Sequence, residues 1–241
     1  MVISFLILLF IIAFLYASVG HGGASGYLAL MALYDFTPEI MKPTALILNL
    51  FVSLSSFLLF LKGGHFKLKL FIPLALASIP MSFLGGFIFL DSHLYKKILG
   101  ILLLFPVLRF FLYPNTSDEN LKDSNIYVLI FIGSIIGFLS GLIGIGGGIL
   151  LSPILILLQW TNQKQTASIS ALFIFVNSLA GLIGQITHGI KIESVEFTYI
   201  IVAFLGGILG AWLGSLKFKQ NILKHILAIV LLMASCKLII T

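Results

Sequence analysis

Long apolar runs are the feature that most constrains how this chain can fold. Ten runs follow one another, separated by short polar stretches, at about 2–19, 27–34, 44–61, 68–90, 94–113, 126–143, 149–158, 167–187, 197–216 and 222–240. Only 9% of the 241 residues are charged, whereas a soluble domain has about 25%. Such a chain cannot cover a surface that faces water, so the sequence predicts an integral membrane protein.

The lengths of the runs fall into two groups. A helix that crosses the hydrocarbon core needs about 20 residues, with a range of about 17 to 25. Eight runs are long enough, and the runs 27–34 and 149–158 are too short. The prediction is therefore an all-α, multi-pass protein of the cell (inner or plasma) membrane, with about eight transmembrane helices and two short half-helices. The first run lacks a preceding Lys or Arg and is interpreted as a retained helix, not a signal peptide.

Charge and cysteine content exclude several classes of function. The net charge of +6 would suggest nucleic acid as the partner of a soluble protein. Here the basic residues lie in short loops between apolar runs, which is typical of membrane orientation, so no nucleic-acid partner is predicted. The single cysteine, Cys236, lies in the last run, and neither a metal-ligand spacing nor a GxxxxGK[ST] motif is present. The sequence predicts no metal, no cofactor and no ATPase activity of its own.

Two glycine clusters interrupt the pattern, at 20–26 (GHGGASG) and at 144–148 (GIGGG). Each follows a long run and precedes one of the two short runs. Glycine costs a helix about 1 kcal/mol per residue relative to alanine, and a helix broken inside lipid must find new partners for its backbone. The half-helix after each break presents free N–H groups and a partial positive charge, which suits an anion.

The chain also divides into two similar halves. The polar stretch 114–125 is a linker between a first repeat, 1–113, and a second repeat, 126–241. The glycines of the two clusters match at an offset of 124, and His65 matches His188 at an offset of 123. With the N-terminus outside, nine Lys and Arg residues lie on inner loops and five outside, Lys42 among the five. A loop that is rich in basic residues in one half corresponds to a loop with fewer in the other half, and this swap predicts inverted repeats.

Polar groups and glycines inside the membrane are the candidate substrate site, because such groups are costly in lipid. The predicted substrate-binding residues are Gly20, His21, Gly22, Gly23, Ser25, Asn49, Gly144, Gly146, Gly147, Gly148, Ser168, Ser170, Asn177 and Gln185. The stripe of Gly206, Gly210 and Gly214 is instead expected to pack helices together. His21 and Ser25 have no equivalents in the second cluster. His21 either pairs with an anion, titrates in proton coupling, or only bonds to a neighbouring carbonyl.

Fixed charges are scarce in the apolar runs. No Asp, Glu, Lys or Arg stands clear of the end of a run, and Arg109, the nearest exception, is expected to snorkel to the interface. An anion would therefore be bound by helix ends, by amides and by His21.

Several motifs resemble those of the TauE/SafE family. They are GLIGIGGGILLSP at 141–153, KPTA at 42–45 leading to Asn49, and TAS at 166–168, and the resemblance extends over about 10–240. It implies a permease of small sulfur-containing anions, such as sulfite, sulfoacetate or related organosulfonates, which are usually exported. We therefore expect a transporter rather than an enzyme, with a small anion as its substrate and lipid as its surroundings. Coupling to protons or ions and a homodimer are both compatible with the sequence.

Two alternative functions are compatible with the same sequence. Residues 23–26 (GASG) match the motif of rhomboid-like intramembrane serine proteases, with Ser25 as nucleophile and His188 as base. The duplication argues against this, because the serine is not duplicated with the glycines. A passive anion channel would need the same polar path as a transporter.

Overall fold

The computed structural model is built from α-helices alone within the residues that it describes, which are 2–18, 22–112, 121–190, 197–216 and 220–240. The side chains of 106, 108–112, 214–216, 220–228 and 230 are not described. The helices are α1 (Val2–Ser18), α2 (Ala24–Leu33), α3 (Pro38–Leu61), α4 (Leu68–Phe87), α5 (Ser92–Leu112), α6 (Ile126–Ile143), α7 (Gly148–Leu157), α8 (Gln163–Thr187), α9 (Phe197–Leu216) and α10 (Gln220–Ile240).

Each predicted run corresponds to one helix, including the two short ones, so the all-helical prediction is confirmed. In the described ranges, four helices are long and apolar enough to cross a membrane: α3, α4, α6 and α8. The other helices include α5, α9 and α10, with 20 or 21 residues each, and α1, with 17. The full count of eight spans remains a prediction.

The start of α3 differs from the prediction. The sequence pattern placed this run at 44–61, after Lys42 and Pro43, whereas the helix begins at Pro38. Proline is favoured at the first position of a helix, and Glu39 complements the positive end of the first turn. Pro43 is tolerated inside the helix, where it removes one backbone hydrogen bond. As a result Lys42 lies inside α3.

Each short helix is the returning arm of a hairpin. In the first half, the Tyr34 hydroxyl donates to Ser4 Oγ (3.0 Å), and Ser25 Oγ donates to the Tyr16 hydroxyl (2.9 Å). Residue numbers rise along α2 as they fall along α1, so α2 runs back beside α1. In the second half, the backbone N–H of Lys122, before α6, donates to the carbonyl of Gln159, after α7 (2.8 Å).

A lysine from the other half of the chain bonds to the open end of each hairpin, which is the end away from the glycine break. Lys237 of α10 donates to the Leu33 carbonyl at the end of α2 (3.0 Å) and pairs with Asp35 at 2.8 Å. This bond from Lys237 lowers the pKa of the exposed Asp35 carboxyl. Lys67, before α4, donates to the Trp160 carbonyl beyond the end of α7 (3.4 Å). The two halves are thus tied together at both hairpins.

Glycines bring α4 and α6 into close contact. Gly133, Gly137 and Gly141 recur every four residues on one face of α6. A Cβ on Gly133 would lie 2.7 Å from the Leu74 carbonyl oxygen, and a Cβ on Gly137 would overlap the Ser78 carbonyl. The numbers rise together along both helices, so α4 and α6 are parallel. No prediction from the sequence covered this glycine stripe.

A similar contact joins α1 to α9. A Cβ on Gly206 would lie 2.5 Å from the Phe10 carbonyl oxygen, and a Cβ on Gly210 would overlap the Phe14 carbonyl. The predicted packing role of these glycines is confirmed. Because α1 and α4 belong to the first half, while α9 and α6 belong to the second, both of these close contacts join the two halves.

In the centre of the bundle, α3 and α8 pack against each other in opposite directions. Asn49 Nδ2 donates to Ser178 Oγ (3.2 Å). Leu46 Cδ1 lies 3.6 Å from the place that a Cβ on Gly181 would take. Between the two contacts the number falls along α3 and rises along α8, so the two helices are antiparallel.

The contact between α4 and α6 can be tested at Gly137. The substitution Gly137→Val forces the two backbones apart and should lower the free energy of unfolding by about 1–3 kcal/mol, as overpacking does. The matched change Ile135→Val, at a side chain that is 45% exposed on the same helix, should have little effect. Thermal unfolding of the purified proteins in detergent measures both. Equal stability of the two variants would contradict the close contact.

Candidate functional site

The two glycine clusters meet in the centre of the molecule. A Cβ on Gly22 would lie 2.8 Å from Asn49 Oδ1 and 2.8 Å from Ile174 Cγ2. A Cβ on Gly146 would overlap Asn49 Nδ2 and lie 3.0 Å from Ile174 Cγ2. Both breaks therefore contact the same two residues, and the absence of side chains at the glycines makes this approach possible.

Asn49 and Ile174 occupy corresponding places in their helices. Asn49 lies twelve positions after Thr37, the N-cap of α3, and Ile174 lies twelve positions after Asn162, the N-cap of α8. Both places are close to the middle of helices of 24 and 25 residues. The breaks therefore meet at mid-depth, with an amide on one side and an aliphatic side chain on the other.

Backbone geometry explains why glycine is needed at the starts of α2 and α7. Gly23 caps α2 with φ 94°, and Gly147 caps α7 with φ 78°; neither has a side-chain cap. Gly144 and Gly146 also have positive φ values, 86° and 78°. Residues other than glycine rarely adopt a positive φ. The first N–H groups of both helices have no acceptor in their own helix, and each start carries a partial positive charge.

The Asn49 side chain connects the second break to α8. Its Nδ2 donates to Ser178 Oγ (3.2 Å) and to the Ile145 carbonyl (3.4 Å). Asn49 is fully buried, and its Oδ1 has no hydrogen-bond partner among the described residues. Ser178 did not emerge from the sequence analysis, because a serine within a helix more often bonds to its own backbone.

Two further buried hydroxyls lie at the breaks. The Tyr27 hydroxyl would be 2.6 Å from a Cβ on Gly23, and Ser140 Cβ would be 3.4 Å from a Cβ on Gly147. In the described part of the chain, neither hydroxyl has a hydrogen-bond partner. Their positions one turn from a glycine cap were the only sequence signal that could have identified them.

Other predicted residues bond or pack beside the point where the breaks meet, and a Cβ on Gly148 would overlap Ile174. Ser25 bonds to Tyr16 between α1 and α2. Ser170 bonds to Ser152 (2.8 Å) and, with Gly148, lies where α7 contacts α8. Asn177 donates to the Phe173 carbonyl of its own helix (2.8 Å).

Four predicted residues remain, two of them on α8 and two in the first glycine cluster. Ser168 and Gln185 are buried on α8, and no described residue bonds to their side-chain polar atoms. Gly20 and His21 lie outside the described residues.

Lys42 corrects the expectation that no cation lies inside the bundle. It lies in α3 and is only 5% exposed. Its ammonium lies 4.7 Å from the centroid of the Tyr95 ring, a cation–π contact. The Tyr95 hydroxyl donates to the Ile143 carbonyl at the end of α6 (2.9 Å). The prediction failed because it placed Lys42 before the start of its helix.

The two residues of the protease alternative have different partners. The Ser25 hydroxyl donates to Tyr16, whereas the His188 ring packs against Phe87 and Phe89, with centroids 5.1 and 6.2 Å apart. The arrangement lacks the hydrogen bond between nucleophile and base that such a mechanism uses.

Apolar helices, two of them broken at mid-depth around buried polar groups, are the architecture of a multi-pass membrane transporter. A family model described as sulfite exporter TauE/SafE matches residues 5–238. The chain belongs to this family.

Three relatives of the chain are also named as probable membrane transporters. The chain is 34% identical over 241 residues to the probable membrane transporter protein y4hK of Sinorhizobium fredii, which covers 98% of both chains. It is 28% identical to the probable membrane transporter protein YunE of Bacillus subtilis (85% of this chain, 82% of that one). A probable membrane transporter of Methanocaldococcus jannaschii is 29% identical (88% and 83%). No solved structure matches the chain.

The bond from Tyr95 to the end of α6 gives a prediction. The change Tyr95→Phe keeps the ring under Lys42 but leaves the buried Ile143 carbonyl without its donor, so the free energy of unfolding should fall by about 1–3 kcal/mol. The control is Tyr127→Phe, at a side chain that is 79% exposed. Thermal unfolding in detergent compares the two, and a Tyr95→Phe protein as stable as the control would contradict the role of this bond.

Proposed function

We propose that the protein is a secondary permease for a small sulfur-containing oxyanion, such as sulfite or an organosulfonate. The observation that carries the proposal is that two uncapped helix starts meet at mid-depth around Asn49. Helix starts of this kind attract anions through their free N–H groups and their dipoles. The family description names sulfite, whereas the names of the relatives specify no substrate.

We further propose that the two halves are inverted repeats. Equivalent helices α3 and α8 pack antiparallel, which a two-fold axis in the plane of the membrane would produce. The contacts also come in matching pairs: α4 packs on α6 as α9 packs on α1, and α2 packs on α10 as α7 packs on α5. Each half then has one hairpin that returns to its own side and three helices that cross, an odd number.

Transport in this proposal follows from the symmetry. The anion binds between the starts of α2 and α7, and the two repeats rock to expose it to either side. A proton or ion gradient supplies the energy. The N-terminus lies outside in this proposal, because nine Lys and Arg residues then lie towards the inner side and five towards the outer side.

Substrate choice, in this proposal, depends on the difference between the two sides of the site. Asn49 offers an amide where the other half offers Ile174. The Ser25 hydroxyl is engaged by Tyr16, so of the two unmatched residues in the first cluster we retain His21 as a candidate ligand or proton carrier.

A ligand panel tests the class of substrate. We expect sulfite, thiosulfate or sulfoacetate to raise the unfolding temperature of the purified protein, and taurine or simple carboxylates to have less effect. Stabilisation by carboxylates alone would reject a sulfur oxyanion and retain a permease. The absence of any response, together with the absence of flux in liposomes, would reject the anion site.

The glycine breaks are tested with two substitutions that have the same backbone cost. Gly146→Ala and Gly64→Ala both place a side chain at positive φ, at a cost of about 1–2 kcal/mol. The Cβ at Gly146 overlaps the Asn49 amide, whereas the Cβ at Gly64 meets nothing within 4 Å. We expect anion flux into liposomes to fall at least tenfold for Gly146→Ala alone, with both proteins inserted normally. Equal flux would place the transport path elsewhere.

A passive channel is the second candidate, since the polar groups at mid-depth would suit either mechanism. Uphill accumulation of sulfite in liposomes under an imposed proton or ion gradient indicates a transporter. Flux that only dissipates a sulfite gradient indicates a channel.

A further inference from the structure

We propose that Lys42 and Gln185 form a second binding position for a small oxyanion. It lies on the side of the membrane where α3 begins, about 10 Å from the point where the glycine breaks meet. This inference rests on the proposed transport of an anion, and it adds a station on the path to and from the central site.

Lys42 is a buried cation that forms no ion pair among the described residues, and the charge of Glu39 acts on it from a greater distance. In the part of the chain that the structure describes, no carboxylate lies within ion-pair distance of its ammonium, and its contact is the Tyr95 ring. Glu39, one turn earlier on α3, is exposed. Removing an ammonium group from water is costly unless it is paired and hydrogen-bonded, and an anion beside it would supply both.

Gln185 is a buried amide without partners. The residue is 1% exposed, and neither Oε1 nor Nε2 has a hydrogen-bond partner among the described residues. A buried polar atom left without a partner destabilises a fold. The Nε2 group has two donors, which suit an oxyanion held by a neighbouring cation.

The packing of α3 on α8 places the two residues opposite each other. Leu46 faces Gly181 across this antiparallel contact. Lys42 lies four residues before Leu46, and Gln185 lies four residues after Gly181. Residues four apart share a helical face, so we infer that Lys42 and Gln185 approach each other between the two helices, one turn nearer the start of α3.

The second glycine break adjoins the same position. A Cβ on Gly144 would lie 3.2 Å from Lys42 Cα. Asn49 is seven residues further along α3, and at 1.5 Å per residue this separates the two stations by about 10 Å. An anion released from the breaks would thus find a fixed positive charge on its way to this side of the membrane.

A purely structural role for Lys42 is the competing explanation. Its charge lies near the negative end of α6, where a cation is stabilising without any ligand. The two roles predict different results, because a structural cation affects the stability of the ligand-free protein but does not attract anions to Gln185.

Thiol labelling tests the position without assuming any substrate. In the full-length protein with Cys236→Ser, the change Gln185→Cys introduces a single thiol. Its rates of reaction with an anionic sulfonatoethyl methanethiosulfonate and with a cationic trimethylammonioethyl analogue are compared in liposomes. We expect the anionic reagent to be favoured, and this preference to fall about tenfold or more with Lys42→Gln. Lys42→Arg should retain the preference, as should Lys62→Gln, which removes an exposed lysine at the other end of α3.

Sulfite binding is measured in parallel on proteins that keep Gln185. Sulfite should stabilise the wild type and Lys42→Arg, with at least a tenfold weaker apparent affinity for Lys42→Gln. If sulfite binds wild type and Lys42→Gln equally, or if the thiol shows no charge preference or no labelling, the second position is wrong. If sulfite does not bind the wild type but the charge preference depends on Lys42, the position stands and the proposed substrate is wrong.

Discussion

The need to satisfy backbone groups inside the membrane determines most of this architecture. A helix interrupted at mid-depth frees N–H and carbonyl groups that lipid cannot satisfy. Here the end of α6 is met from two other helices: Asn49 of α3 donates to the Ile145 carbonyl, and Tyr95 of α5 donates to the Ile143 carbonyl. Among the described residues no side chain caps the starts of α2 and α7, so their first N–H groups retain a capacity to bind an anion.

The surrounding helices hold these starts in place through contacts between the halves. The antiparallel pair α3 and α8 forms the centre, and the parallel pairs α4–α6 and α1–α9 flank it through glycine contacts. Lys67 and Lys237 fasten the outer ends of the two hairpins. The site is therefore built from glycine backbone that is held in place by contacts between the two halves.

Hydropathy and glycine content were sufficient to predict the helices, the two short segments and their family, because each depends on residues close together in the chain. The duplication predicted that the two glycine breaks come together, but it did not predict that Gly22 and Gly146 meet at Asn49. Lys42 was missed, since its burial depends on Tyr95, more than 50 residues later. Ser178 and Tyr27 were missed for the same reason: whether a hydroxyl bonds to its own helix or remains available depends on neighbours that local patterns do not reveal.

The contact between α1 and α9 has a consequence for how the protein is made. Gly206 follows Phe10 by 196 positions in the sequence, so α1 enters the membrane long before its principal partner is synthesised. Contacts so distant in sequence form late in folding. Until α9 is inserted, lipid or the insertion machinery covers the face of α1 that later contacts Gly206 and Gly210. The part of the chain from α9 onwards therefore completes the packing of α1, and a protein truncated before α9 would lack the glycine contacts that hold this helix.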